Sequence, residues 1–248
     1  VVPADIQLYS LVFSVSVLIV ALKWARRISR RYRTAMPFWL LLAGFCAVPL
    51  EAVVCNLGHA WHAAIGQITL YAAVDRFIPL YFGFVYAWYF GGVYISALPR
   101  IIENSFTTSG VWKLYFLTCL IVYAIEPYFI QHGMWMYYGN QPLWIWKGGQ
   151  PLFWTFVNAT CILVPVTLIK LFYPLLRGWK QAAVLVISPF GAFAGHLGAG
   201  FPWYLVANSA LESNGLIVQF AGLVSIILSL VIVAGCSEVL VSKGGLIA

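Results

Sequence analysis

The chain is 248 residues long, 62% hydrophobic and only 8% charged, with a formal net charge of +7. A soluble domain carries roughly a quarter of its residues as charges, so this composition excludes a water-solvated surface over most of the chain and makes lipid its solvent. The positive balance does not point to nucleic acid, because it is concentrated beside one hydrophobic segment instead of spread over a face.

Seven apolar stretches are each long enough to cross a hydrocarbon core of roughly 30 Å at about 1.5 Å per residue. The first runs from Ile6 to Trp24, and Lys23, Arg26, Arg27, Arg30, Arg31 and Arg33 cluster at the turn after it. Positive charge that follows the apolar run is the reverse of a cleavable signal peptide, so none is expected. The second stretch, Pro37 to Cys55, carries Glu51 about one turn before its end, and Pro49 should kink it. The connection 56–77 holds His59, Trp61, His62, Tyr71, Asp75 and Arg76. The third stretch, Ile78 to Leu98, contains Gly83, Gly91 and Gly92, and the fourth, Trp112 to Gln131, has Glu126 near its end.

The connection from His132 to Pro151 reads HGMWMYYGNQPLWIWKGGQP and includes Trp135. Its aromatic and turn residues suit an interfacial belt with a re-entrant or surface-lying cap. The fifth stretch, Leu152 to Tyr173, carries Trp154, Asn158 and Pro165. The sixth, Ala182 to Leu205, carries Pro189, Gly191, Gly195 and His196, with Asn208 just beyond it. Gly191 and Gly195 have the small-xxx-small spacing that lets helix backbones approach closely. Leu216 to Cys236 completes the set. Runs this long and continuously apolar exclude a barrel. They predict an all-α integral membrane protein, a seven-transmembrane-helix bundle forming one transmembrane domain over residues 1–248.

The basic residues set its orientation. The cluster after the first span, Arg100, Lys113, Lys170, Arg177, Lys180 and Lys243 fall on one side of seven crossings, while Arg76 and Lys147 fall on the other. The positive-inside rule then predicts an extracytoplasmic N-terminus and a cytoplasmic C-terminus, in a bacterial-type plasma membrane. On that topology the polar residues gather by depth toward the outer side, and no acidic residue falls in the inner half of a span. A cavity opening outward is expected.

Glu51 and Glu126 are the leading candidates. A carboxylate in hydrocarbon costs a few kcal/mol unless it is protonated, paired or hydrated. Two carboxyl groups facing one pocket can act as acid and base. His196 can relay a proton or orient a substrate, and Asp75 is grouped with them as an outer acidic residue. Asn158, Asn208, His132, Trp135 and Trp154 are candidate substrate contacts. The competing reading has the carboxylates accepting hydrogen bonds from Trp, Tyr or Arg76 and simply locking helices together. A metal is weighed on His59, His62 and His132 with Glu51 or Glu126, but H-x-x-H spacing is frequent by chance, so no metal or other cofactor is assigned. Cys46, Cys55, Cys119, Cys161 and Cys236 are scattered singly and read as buried thiols.

There is no G-x-S-x-G elbow, P-loop or dinucleotide fingerprint. The last span holds no lysine for a retinal Schiff base. The expected function is an integral membrane enzyme acting on a hydrophobic lipid or isoprenoid substrate by acid/base chemistry. The alternatives are a non-catalytic lipid-binding or scaffolding subunit of a membrane complex, and then a transporter. Membrane lipids, a hydrophobic small molecule and a possible membrane-protein partner are the expected partners, with no nucleic acid.

Overall fold

The computed structural model describes residues 1–146 and 149–242. Lys147 and Lys243, used above for orientation, lie outside them. Among the described residues the chain is a largely helical bundle, and six of its helical segments are long and apolar enough to cross a membrane. The protein is thus a multi-pass helical membrane protein by length and composition.

Helix α1 spans Ala4–Tyr32 and does not stop at Trp24. The basic cluster therefore lies on the last turns of the helix and not in a loop. Lys and Arg are good helix formers, and their charge is favoured where the carbonyls of a C-terminus collect. Arg33, at φ 49°, ends the helix in the left-handed region. The second stretch is broken as its proline requires. Helix α2 covers Met36–Cys46 and α3 covers Pro49–Leu57, with Pro49 at the start of α3 where a missing N–H does no harm. Glu51 consequently sits in the first turn of a new helix, the end at which the helix dipole favours a negative group.

The next connection is not plain coil. Strand β1 (Ala60–His62) is followed by a hairpin of β2 (Thr69–Ala73) and β3 (Arg76–Pro79). Helices α4 (Leu80–Ile102) and α5 (Thr108–Gln131) follow, then a fourth strand, β4 (Trp135–Tyr137), which pairs antiparallel with β1. Helices α6 (Leu152–Phe172), α7 (Val184–Ala207) and α8 (Gly215–Val241) complete the bundle. The strands correct the purely helical expectation: short connections close to a membrane must still pair their backbone groups, and two-stranded pairing does so.

Helix α4 is as long as its neighbours, but Tyr81, Tyr86, Tyr89 and Tyr94 dilute its hydropathy, which leaves it outside the apolar six. Helix α8 also runs past Cys236 to Val241 and carries Glu238 on an exposed face.

Helix α6 is the most enclosed and packs on α7 and α8, whereas α2 packs on α4 and α7, and α1 covers α4. Glycine decides two of these crossings. A side chain at Gly44 would meet the Gly91 backbone nitrogen at 2.7 Å, and one at Gly195 would meet the Thr160 carbonyl oxygen at 2.9 Å. Without an apolar driving force between helices in lipid, such close approach and polar crosslinks carry the association. The Ser188 hydroxyl, 2.9 Å from the Tyr94 hydroxyl, ties α7 to α4, and the Tyr115 hydroxyl donates to the Phe156 carbonyl at 3.0 Å, tying α5 to α6. Outward faces carry large apolar residues such as Leu8, Val12, Phe190, Leu205, Phe220 and Val231, as a lipid-facing surface demands.

Candidate functional site

One cavity of about 130 Å³ lies between α3, α4, α5, α6 and α7, with Phe13 of α1 also on its wall, beneath the β1–β4 pair. Glu51, Glu126, Asn158, His196, Trp135 and Trp154 all line it. Aromatic rings make up much of the remaining wall, notably Tyr81, Phe82, Tyr86, Tyr89 and Phe129.

The Glu126 side is a chain of hydrogen bonds. Glu126 precedes Pro127 within α5, and its carboxyl accepts from the Tyr137 hydroxyl at 2.8 Å and from Asn158 Nδ2 at 3.3 Å. Asn158 is presented from the second turn of α6, and its Oδ1 lies 3.0 Å from His196 Nε2 on α7. An amide oxygen only accepts, so the Nε2 of His196 carries the proton. Nδ1 is then free to accept from the Tyr204 hydroxyl, 2.7 Å away. Tyr137, in the strand outside the helices, is pushed well above the usual phenol range by burial and by the Glu126 carboxyl, which keeps it a protonated donor. Among the described residues no Lys, Arg or His forms an ion pair with Glu126.

The Glu51 side is a knot. Glu51 and Cys55 stand one turn apart on α3, and β1 brings His62 against both. His62 Nε2 lies 2.8 Å from Glu51 Oε1, and the Cys55 thiol donates to the same oxygen at 3.2 Å. Cys55 Sγ and His62 Nε2 are 3.6 Å apart. The Tyr86 hydroxyl donates to the other carboxyl oxygen at 2.7 Å. His62 is 2% exposed and Cys55 is buried, whereas the Glu51 side chain is partly accessible.

Three residues named from the sequence do not join these groups. Asp75 occupies the exposed two-residue turn of the β2–β3 hairpin, with φ of 44° at Val74 and 58° at Asp75, a geometry that suits a short polar side chain. His132 caps the end of α5, its Nδ1 2.7 Å from the Tyr128 carbonyl oxygen. Asn208 ends α7 and donates to the Leu57 carbonyl at 2.7 Å, fastening α7 to α3. Nor do the three histidines weighed as a metal set come together. His59 faces Glu212 at 3.3 Å and stacks on Tyr138, and only His62 reaches Glu51. Arg76 reaches neither cavity carboxylate; it is buried over Trp61 and donates to the Tyr138 hydroxyl and the Ala60 carbonyl.

Sequence reasoning passed over Cys55, Tyr86, Tyr137 and Tyr204. The i, i+4 spacing of Glu51 and Cys55 was the available signal for the first. The tyrosines could not be told from interfacial aromatics without the fold. Three further cavity groups, the Tyr81 and Tyr89 hydroxyls and the Trp88 indole nitrogen, are buried with no partner among the described residues. Buried polar atoms of this kind are rare unless something else satisfies them.

Fold and cavity together define a multi-pass helical membrane protein with a buried Glu–Cys–His cluster suited to holding a ligand or metal. Comparison with family models, curated proteins and solved structures gives no match to this chain.

Proposed function

We propose that this protein is an integral membrane enzyme that carries out acid/base chemistry on a hydrophobic lipid or isoprenoid substrate. The observation that carries this reading is that Glu51, Glu126 and His196, drawn from three separate helices, line one aromatic-walled cavity. Glu126 is the acid/base group: it has only neutral donors around it, and the Asn158–His196–Tyr204 chain behind it fixes its orientation, the Asn158 amide holding the carboxyl in place without passing a proton. His196 and Asn158 act through Glu126, while Trp135 and Trp154 form walls against which apolar chains and developing cationic centres are held.

Volume bears on how the substrate enters. The cavity of about 130 Å³ is on the scale of one that holds a benzene ring. A long apolar molecule would therefore bring only its reacting end inside. Helices α4 and α5, consecutive in the chain, are not packed closely along their backbones, and residues of both line the cavity. Phe13 of α1 also lines the cavity, and Tyr9 and Phe13 touch Tyr128 and Trp88, so α1 stands over this gap and would have to shift for entry between α4 and α5 from the bilayer. The unpartnered Tyr81, Tyr89 and Trp88 groups would then bond a polar atom at the reacting end.

In this reading all seven helical rods cross the membrane as one domain, counting α2 with α3 as one and including α4. The N-terminus and the cavity are extracytoplasmic, and the basic end of α1 lies in the cytoplasm of a bacterial-type cell. Native mass spectrometry of the full chain released from nanodiscs tests the function. The expected result is a discrete hydrophobic molecule held by the protein, present in chemically different form in wild type and Glu126→Gln. Bulk lipid alone in both would overturn the enzyme reading in favour of a lipid-binding or scaffolding subunit.

A further inference from the structure

The Glu51 knot admits a reading that the Glu126 chain does not. In a relay a histidine serves two partners through its two nitrogens, as His196 does with Asn158 and Tyr204. His62 instead turns one nitrogen, Nε2, to both the thiol and the carboxylate. A nucleophile–base–orienter triad cannot be built that way. Three donor atoms of three kinds converging on one point form a coordination tripod.

The geometry points to a divalent metal site formed by Glu51 Oε1, Cys55 Sγ and His62 Nε2, of the kind that takes Zn²⁺ with a fourth position open to the cavity. These atoms all lie within 4.8 Å of one another. Bonds of about 2.0 to 2.3 Å at a tetrahedral Zn²⁺ would separate N and O by about 3.3 Å, and S from either by about 3.5 Å. The distances here are 2.8 Å for N to O, 3.2 Å for S to O and 3.6 Å for S to N. An opening of about half an ångström or less, within side-chain torsion, converts the hydrogen-bonded knot into ligands.

Charge and donor chemistry favour the same class of ion. A thiolate and a carboxylate together cancel a divalent charge, which leaves a neutral centre in a largely buried site, and the thiol proton is released on binding. A mixed nitrogen, sulfur and oxygen set suits Zn²⁺, whereas Mg²⁺ and Ca²⁺ ask for oxygen throughout. Tyr86 already supplies an outer-shell contact by donating to the second oxygen of Glu51. Closed structural zinc sites use four protein ligands, while catalytic ones use three and keep a position free. Glu51 and Cys55 line the cavity, so the free position faces the space that Glu126 also borders.

The site stands whether or not Glu126 works as an acid, because metal binding is read without turnover. The experiment is Co²⁺ titration of the chelator-treated full chain in nanodiscs, followed by absorbance and by metal analysis. The expected result is one Co²⁺ per chain with a thiolate-to-metal charge-transfer band, displaced by Zn²⁺. Cys55→Ser should abolish the band and Cys236→Ser should keep it. Glu51→Gln, a second near-isosteric variant, should weaken binding by more than the ~100-fold that loss of an outer-shell partner brings. Absence of the band in folded wild type overturns the site. So does a band that survives Cys55→Ser, or wild-type affinity in Glu51→Gln.

Discussion

Glu51 and Glu126 border the same cavity, yet one sits in a knot and the other heads a chain. Glu51 lies in the first turn of a helix restarted by Pro49, and a cysteine one turn on and a strand histidine fold back onto it. Glu126 lies beside Pro127 near the C-terminal end of α5, and its neighbours lead away from it across two further helices. The same side chain on the wall of one cavity is thus given opposite surroundings. Convergence concentrates donor atoms at a point and suits an ion, whereas a linear chain ending on one carboxyl fixes that group's orientation toward the cavity. Neighbouring geometry, and not residue type, separates the two roles.

Breaking the chain should have the largest structural effect. Asn158→Leu leaves the His196 Nε2–H and a Glu126 oxygen without their partner, at roughly 1 to 3 kcal/mol for each buried group. Thermal unfolding in micelles should register that loss while the Co²⁺ band at the knot is retained. Gly195→Val comes next, because its side chain would press on the Thr160 carbonyl and the Cys161 backbone at the α6–α7 crossing. Overpacking there should destabilise by about 1 to 3 kcal/mol, and the same unfolding assay checks it. The partners of Glu51 lie on α3, β1 and α4, none of which forms that crossing.

A finer cut compares couplings. A double-mutant cycle on stability between His196→Ala and Glu126→Gln should give an interaction of about 0.5 to 3 kcal/mol, as members of one network do. The matching cycle between His196→Ala and Glu51→Gln, which share the cavity but no hydrogen bond, should give a smaller interaction. Equal couplings would merge the two networks into one. At the bottom of the scale, Asp75→Asn at the exposed hairpin tip should change stability by less than ~0.5 kcal/mol and leave both metal content and turnover at wild-type levels.

Much of the bundle could be read from hydropathy, because lipid imposes length and apolarity on every helix it surrounds. The break at Pro49 and the close approach at Gly195 were legible for local reasons, a missing N–H and a missing side chain. The gathering of Glu51, Glu126, Asn158 and His196 followed from depth alone. Depth does not give azimuth, however, so Asn208, His132 and Asp75 were grouped with them although they cap helices or turn a hairpin. Cys55 was hidden by apolar neighbours, and its partner His62 is delivered by a three-residue strand too short to leave a periodic signal. Tyr86 and Tyr204 contribute their hydroxyls only because their helices turn them inward, which composition does not record.

The most direct test of the division of labour is to measure product formation and metal content on one preparation of Glu126→Gln in nanodiscs, supplied with the hydrophobic molecule that wild type retains. The expected result is metal at the wild-type level with product formation lowered by about 10²- to 10⁴-fold, the range for removing a general acid or base. Product formation at the wild-type rate would contradict the assignment of acid/base chemistry to Glu126.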